Sequence, residues 1–394
     1  MTNFSATRAL FDVPEGVAYL DGNSLGPLVR SVPDRVARAV REEWGTQLIR
    51  AWNDAGWMAM PDRLGDRIAP LIGAAAGTLT TGDTLSIKLH QALSAALTLT
   101  ERRVILSDTG NFPSDLYIAD AVARQAGGRL TSVEPEAVAD ALSEEVGVLM
   151  LTEVDYRTGR LHDMAALTAR AKALGVVTVW DLAHSAGALP VNITGAGADF
   201  AVGCSYKYLN GGPGAPAFIY AAPAVAGRID PAIPGWLGHA APFAFEHSYR
   251  PARDVARFRV GTPPVLQMAA LDAAMDVWDV ADLSDVRARS LELSERLIDG
   301  VEAACTDLVL ASPRAGKDRG SQVSFRHPEA YPIMQALIAR GVVGDVRAPD
   351  ILRFGVTPLY LGEAEIDACI ATLAEVMDRR LWDDPAYRRR QAVT

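Results

Sequence analysis

From about Pro61 onward, short apolar runs alternate with longer stretches of helical periodicity, and that alternation constrains the fold more than any other feature. Strands buried on both faces read as continuous Val/Ile/Leu-rich runs, and parallel strands need helical crossovers between them. Residues 104–107, 147–152, 176–181, 200–205 and 217–221 fit such strands, and 86–99, 114–125, 136–142 and 164–174 fit the covering helices. After Pro264 the pattern changes to long helices over 265–280 and 283–305, then to a mixed segment with strands at 322–325 and 351–354 and a closing helix over 363–377. The expected fold class is α/β: a mostly parallel sheet with helices on both faces, plus a smaller α+β C-terminal domain. The division this predicts is an N-terminal segment 1–60 packing on the small domain, a large domain 61–281 and a small domain 282–394.

A length of 394 residues with 49% hydrophobic content supports two packed domains rather than one. The balance of 38 basic against 48 acidic residues, a formal charge of -10, and the lack of a basic run with interleaved aromatics argue against nucleic acid as a partner. No apolar stretch is long enough to span a bilayer, and the N-terminus lacks a basic region followed by an apolar one. A cytoplasmic protein is expected. The three cysteines, Cys204, Cys305 and Cys369, are widely spaced and form no CxxC pair, so neither a disulfide framework nor a metal site is expected.

Chemistry concentrates at strand ends, where open α/β sheets bind their ligands. Asp181 closes one apolar run in Trp180-Asp181-Leu182-Ala183-His184. Lys207 follows the next, in Ser205-Tyr206-Lys207-Tyr208, ahead of the turn-rich Asn210-Gly211-Gly212-Pro213-Gly214. Taken singly, Lys207 reads equally well as a solvated loop lysine and Asp181 as a helix N-cap. Together they form the pairing pyridoxal phosphate requires: a lysine amine for the Schiff base and a carboxylate to keep the pyridine nitrogen protonated. A phosphate also needs a cradle, and Gly82-Asp83-Thr84-Leu85-Ser86 opens a helix whose amides and dipole suit a dianion, with the Ser86 hydroxyl as either an extra donor or simply a cap. Phe112-Pro113-Ser114-Asp115 lies beyond another strand end. Its ring could stack on a planar cofactor or form a hydrophobic staple before a Ser-capped helix.

These motifs, with Leu20-Asp21-Gly22-Asn23-Ser24-Leu25-Gly26, Pro234-Gly235-Trp236-Leu237-Gly238-His239, Gly261-Thr262-Pro263-Pro264 and Leu352-Arg353-Phe354, run in an order that closely resembles the kynureninase family. The resemblance covers most of the chain and implies pyridoxal-phosphate fold type I, cleavage of the Cβ–Cγ bond of L-kynurenine to anthranilate and L-alanine in tryptophan catabolism, and a homodimer. It further implies that Lys207 holds the cofactor and moves the α-proton, that Asp181 pairs with the ring nitrogen, and that Tyr206 binds the phosphate and donates a proton. Leu85, Ser86, Phe112, Pro113, Ser114, Asp115 and His184 would line the cofactor, with Trp236 and Thr262 completing the phosphate side from the partner subunit. Arg353 would grip the substrate α-carboxylate, with Asn23, Ser24 and Trp52 nearby. Thr262 stands where animal members carry Asn, which bears on the choice between kynurenine and its 3-hydroxy analogue.

Three rival readings differ in chemistry. A cysteine desulfurase or class V aminotransferase would share the scaffold, but Cys305 and Cys369 sit on apolar helical faces, where an accessible nucleophile is not expected. A nicotinamide oxidoreductase needs a GxGxxG turn that this chain lacks. A cofactor-free binding protein would be colourless.

Overall fold

In the computed structural model, which describes residues 1–390, thirteen strands are arranged in three sheets. They are β1 (Ala18–Tyr19), β2 (Leu79–Thr81), β3 (Val104–Asp108), β4 (Arg129–Val133), β5 (Val146–Thr152), β6 (Val177–Asp181), β7 (Phe200–Gly203), β8 (Phe218–Ala221), β9 (Val309–Leu310), β10 (Gln322–Arg326), β11 (Val342–Val343), β12 (Asp345–Arg347) and β13 (Ile351–Gly355). Seven of them form the central sheet in the order β2-β8-β7-β6-β5-β3-β4. Only β8 runs against its neighbours.

Side-chain alternation within this sheet feeds two cores. Leu106, Leu149, Leu151, Trp180 and Ala201 face one side, with Leu64, Ile68 and Leu271. Ile105, Val148, Met150, Val179, Phe200 and Val202 face the other, against helices Leu85–Thr98 and Pro113–Gln125. Because parallel strands all end on the same edge, β3, β5, β6 and β7 deliver Asp108, Thr152, Asp181 and Gly203 to one rim.

The antiparallel sheet β12-β13-β10-β9 carries the C-terminal core, covered by helices Leu283–Ala304, Ala330–Ile338 and Glu363–Asp378. Residues from the N-terminal segment enter two different cores: Phe11, Ala18, Leu20 and Val29 pack with the C-terminal one, whereas Ala51, Trp57 and Met60 pack under the central sheet. The parallel pairing of β1 with β11 fixes the first of these attachments.

The bounds of the elements read from the sequence differ from the structure by a residue or two except at two helices, and six strands, β1, β2, β4, β9, β11 and β12, are absent from that reading. The stretch expected as one helix over 136–142 is a 3-10 turn, Pro135–Ala137, followed by the short helix Val138–Ala141. The helix expected over 265–280 ends at Ala274 and continues as 3-10 to Asp279. Strand β4 is absent from the sequence reading because it is a polar edge strand, Arg129-Leu130-Thr131-Ser132-Val133, with no face wholly buried.

Candidate active site

The rim of the central sheet opens into a cavity of about 360 Å³ whose wall includes Lys207, Asp181, His184, Tyr206, Ser86 and Phe112. Leu85, Ser114, Thr152, Tyr156 and Cys204 lie in the same wall. Lys207 sits four residues beyond the end of β7, on a loop pinned at both ends: the Gly211 N–H donates to the Ser205 carbonyl at 2.9 Å, and the Ser205 hydroxyl donates to the Pro216 carbonyl at 2.6 Å. The N-terminal segment braces this loop through the Gly26 N–H, which donates to the Tyr206 carbonyl at 2.8 Å. A Cβ at Gly26 would come within 2.5 Å of the Lys207 carbonyl oxygen, so only glycine fits this approach.

Lys207 Nζ is 3.0 Å from His184 Nε2. An ammonium can only donate, so the ring accepts at Nε2 and carries its proton on Nδ1. Burial, reinforced by the charges of Lys207, Arg353 and Arg347, holds the imidazole pKa well below its ordinary value and keeps it neutral. Its Nδ1 is buried without a hydrogen-bond partner.

Asp181 is 2% exposed and accepts the Ala183 N–H at 2.8 Å. A polar chain backs it: the Thr152 hydroxyl lies 3.5 Å from Asp181 Oδ2 and 2.5 Å from Asn111 Oδ1, and the Asn111 amide donates to Ser107 Oγ at 3.0 Å. Asp115 stands beside Asp181, equally buried, with its Oδ2 unpaired. Burial and then the Asp181 charge push the Asp115 carboxyl well above the usual carboxylate range. Burial also raises Asp181, offset first by Lys207.

The helix Leu85–Thr98 begins one residue earlier than expected. Thr84, not Ser86, occupies the N-cap, and its side chain makes no capping bond. The first-turn amides, Leu85 and Ser86 among them, therefore lack a partner from the cap at the cavity wall, together with an exposed serine hydroxyl. Phe112 likewise holds the N-cap position of Pro113–Gln125, so Ser114 belongs to the first turn rather than capping it. Pro113, at the first helical position, lies outside the wall. The Phe112 ring meets Tyr156 edge-on at 5.0 Å. The Lys207 Nζ lies 5.8 Å from the centre of the Tyr206 ring, and the phenol pKa is raised, chiefly by neighbouring Cys204 and then by burial.

These features suit pyridoxal phosphate. A lysine, a buried carboxylate in the same cavity wall, an uncapped helix N-terminus for a dianion and unpaired polar atoms at His184 and Asp115 are what its aldehyde, ring nitrogen and phosphate call for.

Other residues singled out in the sequence lie elsewhere. Arg353 is central in β13 and 1% exposed, behind the wall, donating to the Tyr156 carbonyl at 2.6 Å and paired with Asp345. Ser24 bonds both Arg353 and Asp345. Asn23 is fully buried, and its amide has no partner. Trp52 packs edge-on against Trp57 at 5.8 Å in the core beneath the sheet, away from the cavity. Trp236 and Thr262 are exposed, with Thr262 lining a small cleft beside Gly82, Asp83 and Lys88. Thr152, Tyr156, Asn111, Cys204, Asp345 and Arg347 escaped the sequence reading. Thr152 alone carried a signal, as the last residue of a buried run. All three cysteines are buried, Cys305 and Cys369 in the C-terminal core and Cys204 in the cavity wall, where burial raises its thiol pKa and disfavours the nucleophilic thiolate.

The family model described as the kynureninase C-terminal domain matches residues 286–373. A kynureninase from Deinococcus radiodurans is 51% identical over 379 residues, covering 94% of this chain and 92% of that one. One from Pseudomonas fluorescens is 46% identical over 397 residues, covering 98% and 95%. Among solved structures, the apo cysteine desulfurase from Thermococcus onnurineus NA1 superposes with a TM-score of 0.82 at 18% identity over 95% of this chain and 98% of that one. A C-DES mutant with glycine covalently linked to its pyridoxal-phosphate cofactor gives 0.81 at 20% over 93% and 99%. At such identities these two share the fold.

Proposed function

The chain belongs to the kynureninase family, and on that premise we propose that it hydrolyses the Cβ–Cγ bond of L-kynurenine to anthranilate and L-alanine with pyridoxal phosphate as cofactor. The observation that carries the reading is the meeting of Lys207, Asp181 and the uncapped Leu85–Ser86 helix end on one cavity in a chain about half identical to kynureninases. Bound there, pyridoxal phosphate supplies an electron-withdrawing ring that stabilises negative charge at the substrate carbon bearing the amine.

The chain's own groups would do the rest. The Lys207 amine holds the cofactor covalently and then moves the α-proton. Asp181, backed by Thr152 and Asn111, keeps a proton on the ring nitrogen, and Asp115 lends its own proton to that carboxylate pair. The first-turn amides and the Ser86 hydroxyl receive the phosphate. Phe112 and His184 bound the ring, with Ser114 beside them. As water adds to the γ-carbonyl and the Cβ–Cγ bond breaks, Cβ needs a proton. The raised pKa of Tyr206 keeps its phenol protonated at neutral pH and suited to donate it. Arg353 takes the substrate carboxylate, held in place by Asp345 and Ser24.

On the same footing we place the protein in the cytoplasm, as a homodimer in which Trp236 and Thr262 complete the phosphate side of the partner's cavity. The support is their exposure away from their own cavity, along with exposed Trp44, Leu48, Ile49, Phe243 and Phe245. No helix among the described residues is long and apolar enough to cross a membrane. We divide the chain into residues 1–60, 61–281 and 282–394, a division that limited proteolysis would test.

The test of function is product stoichiometry. Purified protein with pyridoxal phosphate and L-kynurenine should release anthranilate and alanine in equal amounts without an added ketoacid. A ketoacid requirement or sulfur release from cysteine would reject the reading. The 3-hydroxy analogue, assayed in parallel, sets the ring preference.

A further inference from the structure

Arg353 is short of free donors. Its Nε donates to Asp345 Oδ1 at 2.7 Å, its Nη1 to the Tyr156 carbonyl at 2.6 Å, and its Nη2 both to Ser24 Oγ at 2.7 Å and to Asp345 Oδ2. A guanidinium has five N–H groups, so one remains, on Nη1. At 1% exposure the group is also nearly out of reach of an incoming ligand.

A second guanidinium shares the same partners and is far more accessible. The Arg347 side chain is 29% exposed, its Nη2 lies 2.8 Å from Asp345 Oδ2 and 3.2 Å from Ser24 Oγ, and its Nη1 donates to the Val346 carbonyl at 3.0 Å. Its Nε and a second Nη1 hydrogen have no acceptor among the described residues. The Nη2 atoms of both arginines thus converge on one serine hydroxyl. That hydroxyl in turn donates to Asp345.

Charge counting leads the same way. Two guanidinium groups face one ionised carboxylate, Asp345, whose pKa lies below its ordinary value because Arg353, Arg347 and the Ser24 hydroxyl together outweigh the cost of burial. The other acid present, Asp21, is pushed up to about 7 by burial and by Asp345, so it is only partly ionised at neutral pH. The cluster carries excess positive charge beside Tyr156, a wall residue of the cavity. Both arginine charges are felt at His184 across that wall.

We propose that Arg347 is a second substrate-binding residue, whose free N–H groups receive the substrate's α-carboxylate jointly with the remaining donor of Arg353. The assignment rests on the functional reading above. Asp345 neutralises one arginine, and the ligand neutralises the other. Ser24 spaces the two cations so that both can reach one carboxylate.

The test is calorimetric titration of the cofactor-loaded protein with 4-oxo-4-phenylbutanoate and with its neutral amide, an aryl ketone pair that differs only in the anionic group. The wild type should bind the acid more tightly than the amide. Arg347→Gln should weaken the acid about tenfold, as expected for loss of a charge-assisted hydrogen bond, and leave the amide within about twofold. Arg347→Lys should recover part of the loss, which separates charge from any effect on folding. If Arg347 worked only by bracing Arg353, its substitution would have no further effect in an Arg353→Gln background; direct contact predicts a further loss there. Equal acid and amide affinities in the wild type, an unchanged acid affinity in Arg347→Gln, or no effect in the Arg353→Gln background would each overturn the proposal. Because the readout is binding, failure of the protein to turn over kynurenine would reject the functional reading and leave this measurement intact.

Discussion

Around Lys207 buried polar groups wait for partners, whereas Arg353 already has partners for most of its own N–H groups. His184 Nδ1 and Asp115 Oδ2 are buried and unpaired, and the helix at Leu85 is uncapped. Arg353, in the middle of the five-residue strand β13, instead spends most of its N–H groups on Asp345, Ser24 and a backbone carbonyl. The first arrangement pre-forms a site for a resident group, at the standing cost of desolvated polar atoms. The second holds a buried cation with most of its donors paired, and leaves one N–H of Arg353 and the free N–H groups of Arg347 for an arriving carboxylate.

If the two ends differ in this way, substitutions should separate them. The largest effect is expected at Lys207→Ala, with turnover falling on the order of 10⁴-fold and the visible absorbance of the bound cofactor lost. Asp181→Asn should cost about 10²- to 10³-fold in turnover while leaving cofactor content measurable, because an electrostatic partner of the ring nitrogen is removed but the lysine is not. At the other end, Asp345→Asn strands two guanidinium groups, one of them fully buried. Loss of one partner of such a pair should destabilise the fold by about 3–5 kcal/mol in chemical denaturation and raise KM more than it lowers kcat.

Glu153 gives a smaller, pH-dependent effect. Burial lifts its carboxyl from 4.5 to about 7, and Oε2 has no partner. The native state therefore binds the proton more tightly than the unfolded chain, so stability falls as pH rises through the window from about 4.5 to 7. Glu153→Gln should leave stability at pH 4 nearly unchanged and raise it at pH 8 by up to about 3 kcal/mol, at about 1.36 kcal/mol per pH unit. Thermal melts of both proteins at the two pH values would check this. The smallest effect is expected at Asp115→Asn. Since burial and Asp181 both push Asp115 toward its protonated form, an isosteric amide should keep turnover within about tenfold of wild type, and a loss as deep as that of Asp181→Asn would show that both carboxylates must ionise.

The sequence made the cofactor end legible and left the carboxylate end obscure, for a physical reason. Asp181 and Lys207 each follow a continuous apolar run, and parallel topology carries the ends of such runs to one rim. The helix opening at Leu85 is a local signal of the same kind. Arg353, by contrast, depends on Asp345, Ser24 and the Tyr156 carbonyl, which reach it through antiparallel register and long-range packing. Nothing local distinguishes Arg347 from a surface arginine until β12 is seen to lie against β13. Strand β4 shows the same limit, since a polar edge strand carries little apolar signal. Trp52, placed near the substrate from resemblance, is half-buried and packs against the core beneath the sheet, beside Trp57, outside the wall of this chain's own cavity.

The central claim is that Lys207 holds the cofactor. The chain has only four lysines, Lys88, Lys172, Lys207 and Lys317, so the claim can be tested directly. Borohydride reduction of the cofactor-loaded protein, followed by peptide mass spectrometry, should place a single pyridoxyl adduct on the peptide containing Lys207. An adduct on Lys88, the fully buried alternative, or no adduct at all in protein that still turns over kynurenine would contradict it.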